Sequence, residues 1–279
     1  MTGAERIRSV LAEALAQSDT VQVLGEAVSL SPATTGLMAD HPAQVHLLPA
    51  ADATLVGVAV GMAIAGKRPV VELAHPAALW GALQQLGQEA AAIEGEFSAP
   101  VIVRVPIMDG ETTHPPLTEI RGLTVASPSS PEDAGAMLSA ALKARGPVVI
   151  LEPRTVLAAK ASRTVPEISL GKAAIVREGR HATVLAWGEG VQAAFKAATI
   201  LAREGIEVEV VDLRTLTPLD TDTIGASVQR TGRVIVVGGE TTALLTAVRV
   251  AFLQLESPPV HAVATATDVV AKVRASVQF

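Results

Sequence analysis

Three side chains stand where a reaction or a ligand is possible: Asp52, His75 and His114. Asp52 lies in LLPAADATLVG (47–57), one carboxylate between a strand-like run and a nearly uncharged apolar stretch that continues to Leu73. An acid at a helix start can accept from free backbone N–H groups and favour the helix dipole. A spare carboxylate can equally share a proton with a ligand. The residues alone leave both readings open. His114 belongs to the polar loop MDGETTHPP (108–116), which follows a strand, and His75 in LAHPAALW (73–80) follows another. Ligands of open α/β sheets bind beyond such strand ends, and imidazole titrates near neutrality. A loop histidine is also often simply solvated. His41, His46, His181 and His261 show no metal-ligand spacing, so no metal site is expected.

Other chemistries are excluded. There is no cysteine, hence no disulfide, thiolate metal site or cysteine nucleophile. No G-x-x-x-x-G-K-[ST] phosphate loop and no G-x-S-x-G elbow occur. WGEGVQAA (187–194) lacks the third glycine of a dinucleotide fingerprint and reads as a tight strand-to-helix turn.

The elements that must position these side chains follow from hydrophobic pattern. Strands are expected at 21–24, 45–48, 69–73, 101–105, 122–126 and 147–151, then at 173–178, 182–187, 207–212, 233–238 and 260–265. Helices are expected over the N-terminal 17 residues, after Asp52, and at 77–94, 134–144, 191–204, 220–229, 242–255 and 268–277. Ser130 suits the cap of the 134–144 helix, and Asp133 its first turn. Strands alternating with helices predict α/β architecture, with mainly parallel sheets flanked by helices. Pro153 and Pro166 break the rhythm. The expected division is a domain over 1–155, a linker over 156–170 and a second α/β domain over 171–279.

With 279 residues, 49% hydrophobic and 18% charged, the chain has ample material for two cores. The formal charge is −6, from 22 basic and 28 acidic residues, and no basic cluster suggests nucleic acid. The start reads as an amphipathic helix without a signal peptide's apolar core. The longest uncharged apolar run, Ala53 to Gly66, is shorter than the roughly 20 residues that span a bilayer. A cytoplasmic protein is expected. Four Phe, two Trp and no Tyr limit any site that relies on stacking.

Several segments, in order, resemble the β subunit of 2-oxo acid dehydrogenase decarboxylating components, the pyruvate and branched-chain enzymes of the transketolase-like superfamily. They are LGEAV (24–28), PAADATLVGVAVGMAIAGKRPVVEL (49–73), APVIVRVP (99–106), GLTVASPSSPEDA (122–134), PVVILEPR (147–154), LGKAAIVREG (170–179), VVDLRTLTPLD (210–220) and SVQRTGRVIVVGGE (227–240). The resemblance implies a pyrimidine-binding-type domain followed by a transketolase C-terminal-type domain. It implies thiamine diphosphate as cofactor, shared with an α-type subunit that holds Mg²⁺. The implied reaction is oxidative decarboxylation of a 2-oxo acid, with acyl transfer to lipoyl. Asp52 then stands where the family's acid bonds the aminopyrimidine, Glu26 and His75 line the cofactor pocket, and His114 handles protons or binds substrate. Implied partners are that α subunit, in a homodimer or heterotetramer, and a lipoyl-bearing acyltransferase.

The departures are specific. The family's acid is normally Glu, one methylene longer, and misplacement by about 1 Å can cost roughly 10²-fold in rate. His75 and Ala78 stand at the family's stacking aromatics, and the loop from Gly110 to Gly122 is short. Two alternatives follow: an inactive structural or interaction subunit, or half of a two-chain transketolase-like enzyme. Glycines 57, 61 and 66 predict that the apolar helix packs on a partner helix.

Overall fold

The computed structural model describes residues 1–49, 51–91, 99–108, 117–162, 167–238, 260–262 and 265–277. The chain divides into two compact units, Met1–Leu170 and Gly171–Phe279. His114, the expected helix at 242–255 and most of the 108–116 loop lie outside the described residues.

The first unit begins with α1 (Gly3–Gln17), started by a reciprocal cap: the Glu5 N–H donates to the Thr2 hydroxyl, and the Thr2 N–H to the Glu5 carboxylate. Ile7, Leu11 and Leu15 form its buried stripe. Then come β1 (Val21–Gly25), α2 (Leu37–Asp40), β2 (Val45–Leu47), α3 (Asp52–Ile64), β3 (Arg68–Glu72), α4 (Ala78–Gln84), β4 (Ile102–Ile107), β5 (Thr124–Ala126), α5 (Pro131–Ala141), β6 (Val148–Pro153) and α6 (Arg154–Ala158). The six strands run parallel in the order β5-β6-β4-β3-β1-β2. A parallel sheet is covered on both faces, so its strands read as continuous apolar runs; β1 and β6 are buried throughout. Two helices differ from expectation. α5 starts at Pro131, because proline suits the first turn and Ser130 caps by accepting from the Asp133 N–H. The expected 77–94 helix is α4 followed by a π turn at Gln85–Ala90.

One cation sits inside this sheet. Arg104 on β4 is 2% exposed. Its Nε and Nη2 donate to the two oxygens of Glu152 at 2.7 and 2.9 Å, and its Nη1 donates to Glu72 at 3.2 Å. The register makes this possible: Arg104 lies opposite Glu72 of β3, while Glu152 of β6 lies opposite Pro106. Burial alone would lower the Arg104 pKa; Glu152 and Glu72 outweigh it and raise it. Burial pushes the Glu152 carboxyl up, against the pull of Arg104.

The second unit holds β7 (Ala174–Arg177), β8 (Ala182–Ala186), α7 (Glu189–Ala202), β9 (Val208–Asp212), β10 (Thr215–Thr217), α8 (Thr221–Thr231), β11 (Val234–Val237), β12 (Val260–Ala262) and α9 (Ala266–Val277). Its sheet runs β12-β11-β8-β9-β7, parallel except for β7 against β9. The 187–194 segment is the expected turn: Gly188 takes φ +52° before α7, and a Cβ on Gly190 would come within 3.1 Å of Val237. Buried Glu209 is met by Ser227 and Arg230. Asp220 caps α8. It accepts from the Thr223 hydroxyl at 2.8 Å, the Thr223 N–H at 3.3 Å and the Ala173 N–H at 3.1 Å, with Lys172 at 3.4 Å. No described helix is long and apolar enough to cross a membrane.

Two predictions follow from these anchors. Arg104→Met leaves two buried acids without their cation and should cost about 3–5 kcal/mol in urea unfolding. Arg104→Lys should recover little, since a point charge cannot span both Glu152 oxygens. For Asp220, burial works to raise the pKa, but Thr223, Ala173 and Lys172 together lower it. A depressed carboxylate stabilises the fold above its unfolded pKa of about 3.9, and that stability is lost as pH falls through the lower folded value. Asp220→Asn should therefore unfold at lower urea than wild type at pH 7, with the gap narrowing below about pH 4.

Candidate active site at the carboxyl edge of the first sheet

Glu26, Asp52 and His75 follow the carboxyl ends of three neighbouring strands. Gly25, Leu47 and Glu72, the last residues of β1, β2 and β3, are register partners. Ligands of parallel α/β sheets bind at this edge. Gly25 permits the arrangement: a Cβ there would lie 2.7 Å from the Glu72 carbonyl oxygen, so only glycine lets β1 end so close to β3. Glu26 leaves the strand half-buried.

Asp52 is the first residue of α3, and the helix cap is Ala51, which has no acceptor side chain. The capping reading of Asp52 is therefore corrected. The chain enters the helix one residue earlier than that reading required, and the half-buried carboxylate takes no capping hydrogen bond. It meets α4 instead. A Cβ on Gly81 would lie 3.2 Å from the Asp52 Cβ and 3.6 Å from its Oδ2. His75 is exposed in the connection from β3 to α4, and Ala78 is buried. Ala78 offers no ring for stacking, and His75 only an imidazole.

Three features went unread in the sequence. One is Gly81, whose part depends on a helix remote in sequence. The second is the Arg104 cluster, signalled by a lone arginine inside VIVRV and by the glutamate ending PVVEL. The third is a groove of about 1100 Å³ lined by Trp80, Gly81, Gln84, Gln88, Glu119 and Arg121. Close by, the Gln85 Oε1 is buried without a hydrogen-bond partner, and its Cγ packs 3.6 Å from where a Gly57 Cβ would stand. The glycine-spaced face of α3 is thus divided. Gly57 faces Gln85, while Gly61 and Gly66, the latter in a turn at φ +83°, both border open space. Val58 and Ile64 are 41% and 58% exposed.

Residues 1–160 match the transketolase pyrimidine-binding domain, and 171–271 match the transketolase C-terminal domain. The pyruvate dehydrogenase E1 component β subunit of Acholeplasma laidlawii is 34% identical over 285 residues, covering 92% of this chain and 87% of that one. The chain belongs to the transketolase family, on its pyruvate dehydrogenase E1 β-subunit branch. The corresponding Bacillus subtilis subunit is 35% identical, over 85% of this chain and 79% of its own. The β subunit of the Cupriavidus necator acetoin:2,6-dichlorophenolindophenol oxidoreductase is 36% identical, over 73% and 64%. In fold, the chain is similar to a solved split-gene transketolase described as an inactive β4 tetramer, with TM-score 0.87 and 22% identity over 100% of this chain and 98% of that one.

In this E1 β-type chain, Asp52 contributes at most a charge–dipole interaction to the helix, about 0.3–1 kcal/mol. Asp52→Asn should shift the urea unfolding free energy by no more than that. A loss above about 2 kcal/mol would show that the carboxylate holds the fold together.

Proposed function

We propose that the chain is the β-type subunit of a thiamine-diphosphate-dependent 2-oxo acid dehydrogenase and works with an α-type subunit. The observation that carries the reading is an acid at the sheet's carboxyl edge that its own helix does not engage. The residues present fit the cofactor's ring edge. An aminopyrimidine offers an amino donor and a basic ring nitrogen, and the chain offers the Asp52 carboxylate, with the orphaned Gln85 oxygen nearby. The described residues hold no group of three or more His, Asp or Glu that could bind a metal. In this reading, as the family resemblance implies, the partner would hold Mg²⁺ and the diphosphate.

When bound, thiamine diphosphate supplies the electron sink for decarboxylation. The chain's own part is placement and proton handling. Asp52 would hold the pyrimidine ring nitrogen of the bound cofactor through a shared proton. Glu26 lines the same edge. His75, exposed after β3, would contact the cofactor or substrate, and His114 would move a proton or hold the 2-oxo acid. The acyl group passes to a lipoyl-bearing acyltransferase. Another subunit, in a homodimer or heterotetramer, would pack on α3, whose Val58 and Ile64 are exposed.

One observation favours the rival reading of a non-catalytic subunit: Ala78 offers no ring and His75 only an imidazole, which weakens the stacking platform. The deciding test is cofactor-dependent decarboxylation by the complex reconstituted with its α partner. Asp52→Asn should lower it by at least 10²-fold, with cofactor binding weakened and stability unchanged, while Asp52→Glu should retain or raise it. Wild type and both variants equally inactive towards pyruvate and branched 2-oxo acids would establish the structural role.

A further inference from the structure

The second sheet ends in β7, and one side of that strand has no strand partner among the described residues. An open strand edge is a template for pairing, and proteins usually guard it with charge or proline. β7 instead shows apolar side chains: Ile175 and Val176 are 41% and 39% exposed. The register shift against β9 leaves Val176 with no residue opposite it. The patch continues onto α7. The Arg177 guanidinium lies 5.8 Å from the ring centre of Phe195, itself 44% exposed, and its Nη1 reaches the Thr199 hydroxyl at 3.5 Å.

The sequence along this edge complements itself. It reads KAAIVRE from Lys172 to Glu178, with a cation at one end, an anion at the other and Ile175 at the centre. Two copies laid antiparallel about a twofold axis at Ile175 set Ile175 against Ile175 and Val176 against Ala174. Glu178 then meets Lys172 at both ends. An axis at Val176 instead sets Ile175 against Arg177 and Lys172 against Arg180, a like-charged pair that opposes docking. Glu178 and Lys172 are both exposed, with the Lys172 ammonium 3.4 Å from Asp220.

We infer that β7 is the edge on which a second copy of this chain docks, antiparallel and about a twofold axis at Ile175, so that two five-stranded sheets join. This surface is distinct from α3, where the proposed function seats another subunit, and it does not depend on catalysis. An edge of so few residues belongs with small, concentration-dependent interfaces, below about 1,200 Å².

The chain has no cysteine of its own, so single introduced thiols report the geometry. Facing residues of an antiparallel pair have Cα atoms about 4.5–5.5 Å apart, within the roughly 4.4–6.8 Å of a disulfide. Full-length Ile175→Cys, oxidised with diamide, should form a disulfide-linked dimer at least about tenfold faster than Ser9→Cys, an exposed position on α1. Adding Glu178→Lys should slow this several-fold, since lysine then faces lysine at both ends, and so should adding Lys172→Glu. An equimolar mixture of the two double variants should recover most of the rate, because each cation again meets an anion. Glu178→Lys alone carries the test if Lys172→Glu, beside Asp220, unfolds. Crosslinking no faster than in Ser9→Cys, or indifferent to the charge changes, overturns the inference. So does an Ile175→Cys thiol that neither crosslinks nor reacts with a small maleimide, because the chain's own residues then cover the edge. No readout here uses cofactor or α partner, so the proposed function stands or falls separately.

Discussion

The guanidinium of Arg104 is the constraint on which the first unit depends. An arginine inside a parallel sheet is tolerable only when its donors are taken by acceptors of opposite charge. Glu152 takes two of them as a fork and Glu72 takes a third. The three side chains come from β4, β6 and β3, so the cluster ties together the carboxyl ends of the strands at the middle of the sheet. Substituting one member alone strands the others, which makes the register of these strands hard to shift. Glu72 is also the last residue of β3. The connection through His75 to α4 therefore starts from a fixed point, and α4 places Gly81 against Asp52.

From that anchor the site's features follow by geometry. β1 ends against Glu72 only because Gly25 has no side chain, and Glu26 emerges there. The helix after β2 begins with an uncapped end at Ala51, and its first acid points to neighbouring structure rather than back to its own N–H groups. A helix start without a side-chain cap forgoes about 1 kcal/mol. Asp52 placed one residue earlier would recover it and lose the acid to the helix. The chain keeps the acid available, as expected where position serves a ligand rather than stability.

Much of this was legible in the residues. The continuous Val- and Ile-rich runs mark the strands to within a few residues, because burial on both faces leaves no other composition for them. Ser130 announced one helix start through a side-chain acceptor that acts locally. What was not legible is non-local. Whether Asp52 or Ala51 caps α3 depends on how the chain arrives from β2. Gly81 takes its meaning from a helix remote in sequence, and Gly57 from Gln85 on the π turn. Periodicity treats Trp80 as one apolar residue on a short helix, and does not show that it stands exposed beside a groove.

The central claim is that the Asp52 carboxylate serves a ligand and not its own helix. A high-resolution structure of the chain with its α-type partner and thiamine diphosphate tests this most directly. The account predicts an Asp52 oxygen within hydrogen-bonding distance of the pyrimidine ring nitrogen, about 2.6–3.0 Å, with Ala51 still at the cap position of α3 and Asp52 its first residue. A cofactor bound elsewhere, with Asp52 turned back onto the amide groups of α3, would contradict it.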